Sequence, residues 1–196
     1  SPTSSRKSVP PCASSRSRFA STGCAAVRGR TAAPATPPAG AGVISVPFHA
    51  QEDHQCGPAA LATVLVTTGV DTTPEQLVPE VYIPARRGSL QLEMLAAARR
   101  HGRIPWLLPP EFTALQAELA AGNPVLVLQD LGALGIRRWH YAVVIGHDPE
   151  REVLVLRSGT QRRHLEGERY FLRSWQASDN WAITLTPPGR IPATAT

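Results

Sequence analysis

Two kinds of apolar spacing divide the chain. From Cys56 to Gly122 apolar residues recur three and four positions apart, the spacing that lines one face of a helix; after Pro124 they come in short runs between turn residues, as in strands. "CGPAALATVLVTTG" carries Ala60, Leu61, Val64 and Leu65 at helical spacing and predicts a helix that stops at Gly69. "TTPEQLVPEVY" offers Thr73 as a cap and Pro74 at the first helical position, predicting a short second helix. "SLQLEMLAAARRHG" predicts a third, capped by Ser89 and closed by Gly102, with Arg99, Arg100 and His101 favouring its negative end. "IPWLLPP" then reads as a strand and "FTALQAELAAG" as a helix ending at Gly122. "PVLVLQD", "WHYAVVIGHD", "EVLVLRSG", "QRRHLEGE" and "NWAITLTPP" read as an antiparallel meander, and "VISVPF" as a short strand ahead of all the helices. Helices first and strands later predict an α+β domain, N-terminal helices packed on a C-terminal antiparallel sheet.

Residues 1–42 break this pattern. They are rich in Ser, Pro, Ala, Gly and Arg with almost no large apolar groups, so burial cannot offset the entropy of ordering them, and a disordered leader is expected. The domain is expected over 43–188, and the polar, proline-containing stretch 189–196 as a disordered tail. A chain of 196 residues with 42% hydrophobic content suits one domain with a proper core. Its net charge of +5 is a property of the leader, where Arg6, Lys7, Arg16, Arg18, Arg28 and Arg30 stand without an acid and leave the body at about −1. The body therefore has no electrostatic reason to seek nucleic acid. No apolar run approaches the length of a membrane-spanning helix. Within the leader, "FASTGCAAV" sets Thr22 and Gly23 before Cys24 like the cleavage site of a bacterial lipoprotein signal, although the preceding residues lack an apolar core. The corresponding expectation is an exported, periplasmic or membrane-anchored protein with a lipid at Cys24.

Cys12 and Cys24 lie in the leader, so Cys56 is the only cysteine of the body and no internal disulfide is available. In "QEDHQCGPAALATVL" that cysteine opens a helix, where the positive end of the backbone dipole favours thiolate and is expected to lower the thiol pKa below its free value of about 8.5. Gly57 lets a ligand approach the backbone, and Pro58 lacks an N–H that the first turn could not have used. Upstream, the Gln51 amide is a candidate donor to an oxyanion, with the Cys56 N–H as the second donor. Downstream, "RWHYAVVIG" places His140 at the start of a strand, a candidate base toward the thiol. His49, Asp53, His54 and Cys56 also crowd together with ligand types that Zn²⁺ accepts, but without a conventional metal spacing.

Together, "QCGPAALATVL", "RWHYAVVIGHD" and "EVLVLRSGT" resemble the papain-fold cysteine peptidases of the bacteriocin-processing, or double-glycine, type, in their stand-alone bacterial branch, over about Val43 to Pro188. The resemblance implies a papain-like fold and a peptide or protein substrate. Cys56 is then the nucleophile, His140 the general base and later acid, and Gln51 the side-chain oxyanion donor, with a thioester intermediate and neither cofactor nor metal. Gln51 lies one residue closer to the cysteine than in the bacteriocin processors. In that family an Asp or Asn in the strand after the His orients the imidazole, whereas here the region reads Leu156, Arg157, Ser158. Asp148 is eight residues along the same strand from His140, roughly 26 Å at about 3.3 Å per residue, and cannot substitute. Asp130, which a hairpin would bring back to the start of the His140 strand, and Ser158 both remain candidates. With no carboxylate after "VLVL", the rival expectation is a papain-like peptide-binding module that is weakly active or inactive.

Overall fold

The computed structural model of the protein describes residues 42–49 and 55–195. The predicted leader with its lipid-anchor candidate Cys24, the oxyanion candidate Gln51, and the metal-ligand candidates Asp53 and His54 lie outside the described residues. The elements run α1 (Cys56–Thr67), α2 (Pro74–Val81), β1 (Tyr82–Ile83), β2 (Gly88–Ser89), α3 (Gln91–Arg100), β3 (Ile104–Leu107), α4 (Phe112–Ala120), β4 (Val125–Asp130), β5 (Trp139–Asp148), β6 (Val153–Ser158), β7 (Gln161–Gly167), α5 (Glu168–Gln176) and β8 (Ala182–Thr186). β1 and β2 form a small hairpin, and the other six strands form one antiparallel sheet in the order β3-β8-β4-β5-β6-β7.

The apolar runs of β4, β5 and β6 are continuous because helices cover both faces of the sheet. Leu126, Leu128, Tyr141, Val143, Ile145 and Val155 point to one side, where they pack with Leu61, Val64 and Leu65 of α1, Leu77 of α2 and Met94 of α3. Their neighbours in sequence, Val125, Val127, Ala142, Val144, Leu154 and Leu156, point to the other side and pack with Leu115 and Leu119 of α4 and Phe171 and Trp175 of α5.

"NWAITLTPP" does not continue the meander: as β8 it lies between β3 and β4. Four further features differ from the expectations. First, α5 was not anticipated. Phe171, Ser174 and Trp175 lie at three- and four-residue spacing on its buried face, but only two of them are large and apolar, and charged residues surround them. Second, "VISVPF" forms no strand: it is an irregular segment that donates from Ile44 N to Ile145 O at 2.8 Å. Third, Ser89 does not cap α3, which starts at Gln91 after Leu90, because Ser89 belongs to β2. Thr73 does open α2 as expected, its N–H donating to Gln76 Oε1 at 3.0 Å.

Fourth, the stretch expected as a disordered tail is fastened to the domain through residue 195. The fully buried Glu118 of α4 accepts from Thr194 N at 2.8 Å and Thr194 Oγ1 at 2.7 Å on one oxygen, and from Asn123 Nδ2 at 2.7 Å on the other. Arg190 Nη2 donates in turn to Asn123 Oδ1 at 2.8 Å. Composition alone missed this strap because its partners are backbone and short polar groups rather than apolar surface. Glu118→Ala leaves these donors without their acceptor and is expected to cost about 1–3 kcal/mol, read as a lower urea midpoint with unchanged slope.

Candidate active site

Cys56 is the first residue of α1, and Gln55 ahead of it provides no side-chain cap. The thiol is packed against the α1 side of the sheet at Tyr141, the residue after His140. Burial pushes the Cys56 thiol above its ordinary value, and the backbone N–H groups of Tyr141, Gly57 and Cys56, which pull it down, offset only part of this. The expectation from the helix dipole is therefore reversed. The first turn does aim its N–H groups at the sulfur, but loss of water outweighs them.

The β1–β2 hairpin closes one side of this site. Tyr141 Oη donates to Ser89 O at 3.3 Å, and Ser89 stands directly on Gly57, where a Cβ would collide with the Ser89 Oγ and Cβ. Glycine after the cysteine thus allows a close approach of the protein's own hairpin. Gly57→Ala is expected to displace Ser89 and destabilise the fold by about 1–3 kcal/mol, visible as a lower melting temperature.

His140 is the second residue of β5 and is half-buried. Its Nε2 lies 2.8 Å from Ser158 Oγ at the end of β6. Burial holds the imidazole down at about 4; the charge of Arg138 acts in the same direction, that of Glu166 opposes it, and His164 adds a further small depression. Alternation along β5 gives Tyr141 to the α1 face and His140 to the α5 face, which it shares with its cross-strand partner Gln129. Tyr141 therefore meets the thiol and His140 meets Ser158 on opposite faces of the sheet, and the described residues show no hydrogen bond between Cys56 and His140.

Of the two candidates for orienting the ring, Ser158 is the one that touches it. Asp130 turns into its own hairpin, where Oδ1 accepts from Gly132 N at 2.9 Å and Arg138 N at 2.8 Å. The Arg138 N–H, then that of Gly132 and the charge of Arg137, hold its carboxyl below the usual range. Among the described residues no group of three or more His, Cys, Asp or Glu is placed to hold a metal ion, and no helix is long and apolar enough to cross a membrane.

A thiol heading a helix, a histidine early in the neighbouring strand and a six-stranded antiparallel sheet define a papain-like cysteine-peptidase fold. Residues 43–183 match one family model, and the chain belongs to the Peptidase_C39 like family. No curated protein sequence matches it. Among solved structures, a putative C39-like peptidase from Bacillus anthracis is 16% identical at a TM-score of 0.62, the match covering 76% of this chain and 99% of that one. The peptidase domain of Streptococcus ComA, a bifunctional ABC transporter, is 18% identical at a TM-score of 0.58, over 74% and 98% of the two chains. A double-glycine motif protease from an AMS/PCAT transporter, solved with its leader peptide, is 21% identical at 0.56, over 74% and 94%. At these identities the likeness is one of fold.

Proposed function

We propose that the protein is a cysteine peptidase that cleaves through Cys56 with His140 as base. The observation behind this reading is the meeting of α1 and β5: the Cys56 thiol lies against the backbone of Tyr141, and the ring of the preceding His140 is fixed through Nε2 by Ser158. With Nε2 on Ser158, Nδ1 is the nitrogen left to take the thiol proton, a transfer that requires ring and thiol to meet at the start of β5 when substrate binds. The resting pair is neutral, because burial raises the thiol and lowers the imidazole. Proton transfer then accompanies attack. The S–H bond breaks toward the imidazole, sulfur bonds to the peptide carbonyl carbon, and the carbonyl electron pair moves onto oxygen. The N–H of Cys56 and the amide of Gln51 receive that oxyanion in this reading. The imidazolium returns its proton to the leaving amine, and water then hydrolyses the thioester.

The same electrostatics favour a second reading, a peptide-binding module with weak or no turnover, since a neutral thiol beside a weakly basic ring oriented by a hydroxyl is a poor nucleophile. A complex peptide digest incubated with the wild type and with Cys56→Ala separates the two. A peptidase generates new termini that the variant does not, whereas a module retains the same peptides intact in both proteins.

A further inference from the structure

Glu166, near the end of β7, is only 7% exposed, so its carboxylate has exchanged water for protein partners. Gln129 Nε2 donates to its Oε1 at 2.7 Å and also reaches Ser174 Oγ of α5 at 2.9 Å. His164 Nε2 stands 3.4 Å from the other oxygen. Gln129 follows the apolar run of β4 yet is buried, and it is the residue paired directly with His140 across the sheet, on the same face. Three elements, β4, β7 and α5, thus spend buried polar groups on holding one carboxylate behind the imidazole. Apolar residues in these places would hold the fold together as well or better, so the arrangement calls for a role beyond stability.

The groups around the ring make that role specific. Ser158 on β6 touches Nε2 and is neutral, as are Gln129 on β4, paired with His140, and Ser174 on α5, which Gln129 reaches. The charge of Arg138, the residue just before β5, and that of His164 on β7 when protonated oppose a cationic ring, and Glu166 favours one, while Asp130 is turned into its hairpin. Ser158, Glu166, Arg138 and His164 also line one cavity of about 810 Å³, so one edge of the cluster is open to solvent.

We propose that Glu166 is the positioning carboxylate of this site: fixed by Gln129 behind the His140–Ser158 pair, it supplies the negative charge that a serine hydroxyl cannot. The inference rests on the peptidase reading. When His140 takes the thiol proton the ring becomes cationic, and a fixed carboxylate nearby stabilises that cation while the proton stays on the ring. Glu166 takes no proton and touches no substrate.

The test follows the His140 ring by NMR titration alongside steady-state kinetics. Glu166→Gln is expected to lower the His140 titration midpoint and to reduce kcat about tenfold at unchanged KM, while Glu166→Asp, which keeps the charge, stays within about threefold of wild type. An unmoved midpoint in folded Glu166→Gln, or equal losses in the Asp and Gln variants, overturns the proposal. His164→Gln, at a half-exposed position, provides the check if Glu166→Gln does not fold. Removing the imidazole whose charge, when protonated, opposes a cationic ring should raise the midpoint, and a midpoint that stays put contradicts the account. The titration needs no turnover, so failure of the peptidase reading appears separately, as absence of cleavage by the wild type.

Discussion

Replacing His140 with alanine should reduce peptide hydrolysis by about 10³-fold or more while leaving the pH midpoint of Cys56 alkylation nearly where it was. In an enzyme with a preformed thiolate–imidazolium pair, losing the histidine removes the charge that depresses the thiol, and the alkylation midpoint climbs. Here burial already holds the thiol in its protonated form and the ring in its neutral form. The ring is needed at the moment of attack, when sulfur gives up its proton, and contributes little to the resting charge of sulfur. The pH profile carries the same signature. A base depressed to about 4 stays unprotonated over most of the acid range, so kcat/KM should hold nearly flat from about pH 8 down to about pH 5. A ring at the ordinary value of about 6.5 would instead lose activity below about pH 6.5. Alkylation mapped to Cys56 by mass spectrometry, so that Cys12 and Cys24 do not interfere, and a kcat/KM profile measure the two effects.

Ser158→Asp should have the largest effect in the opposite direction. Ser158 Oγ is 2.8 Å from His140 Nε2 and borders the cavity, which leaves room for a longer side chain. An aspartate there would face the ring as an ionised acceptor and raise the imidazole by about 1–3 pKa units, making it a stronger base and stabilising the cation it becomes. Turnover near pH 7 should rise about tenfold, and the acid limb of the profile should move upward from about pH 4 toward pH 6, the same group now protonating earlier as pH falls. Ser158→Ala should lower turnover without raising that limb. A Ser158→Asp enzyme with the wild-type profile would show that the Nε2 contact does not tune the base.

The architecture was legible wherever periodicity and length agreed. The 3.6-residue spacing from Ala60 to Leu65 marked α1, and the apolar runs around Leu126, Val143 and Val155 marked the sheet. The buried face of α5 was hard to see because Gly167, the last residue of β7, alone marks the boundary between them and Arg173 stands between Phe171 and Trp175. The strap at Thr194 escaped because hydrogen bonds to a buried carboxylate leave no hydropathy pattern. At the site, the helix start exposed Cys56 and the strand start exposed His140. Spacing could not decide between Asp130 and Ser158, since that depends on whether Asp130 Oδ1 turns outward or back onto the N–H groups of its own hairpin. Nor could it foresee the sign of the thiol shift, which follows from how deeply the hairpin and β5 enclose the helix start. Glu166 was invisible for a related reason: only the sheet register sets Gln129 opposite His140 and brings a β7 carboxylate to its side chain.

The account turns on a covalent bond between Cys56 and the acyl part of a substrate. The most direct measurement is an acid quench during digestion of a peptide mixture, followed by intact-mass and peptide-mapping analysis of the enzyme. A labile acyl adduct on the peptide containing Cys56, present in the wild type, absent in Cys56→Ala and slower to form in His140→Ala, is the predicted result. Cleavage without any adduct at Cys56, or cleavage that persists in Cys56→Ala, would contradict it.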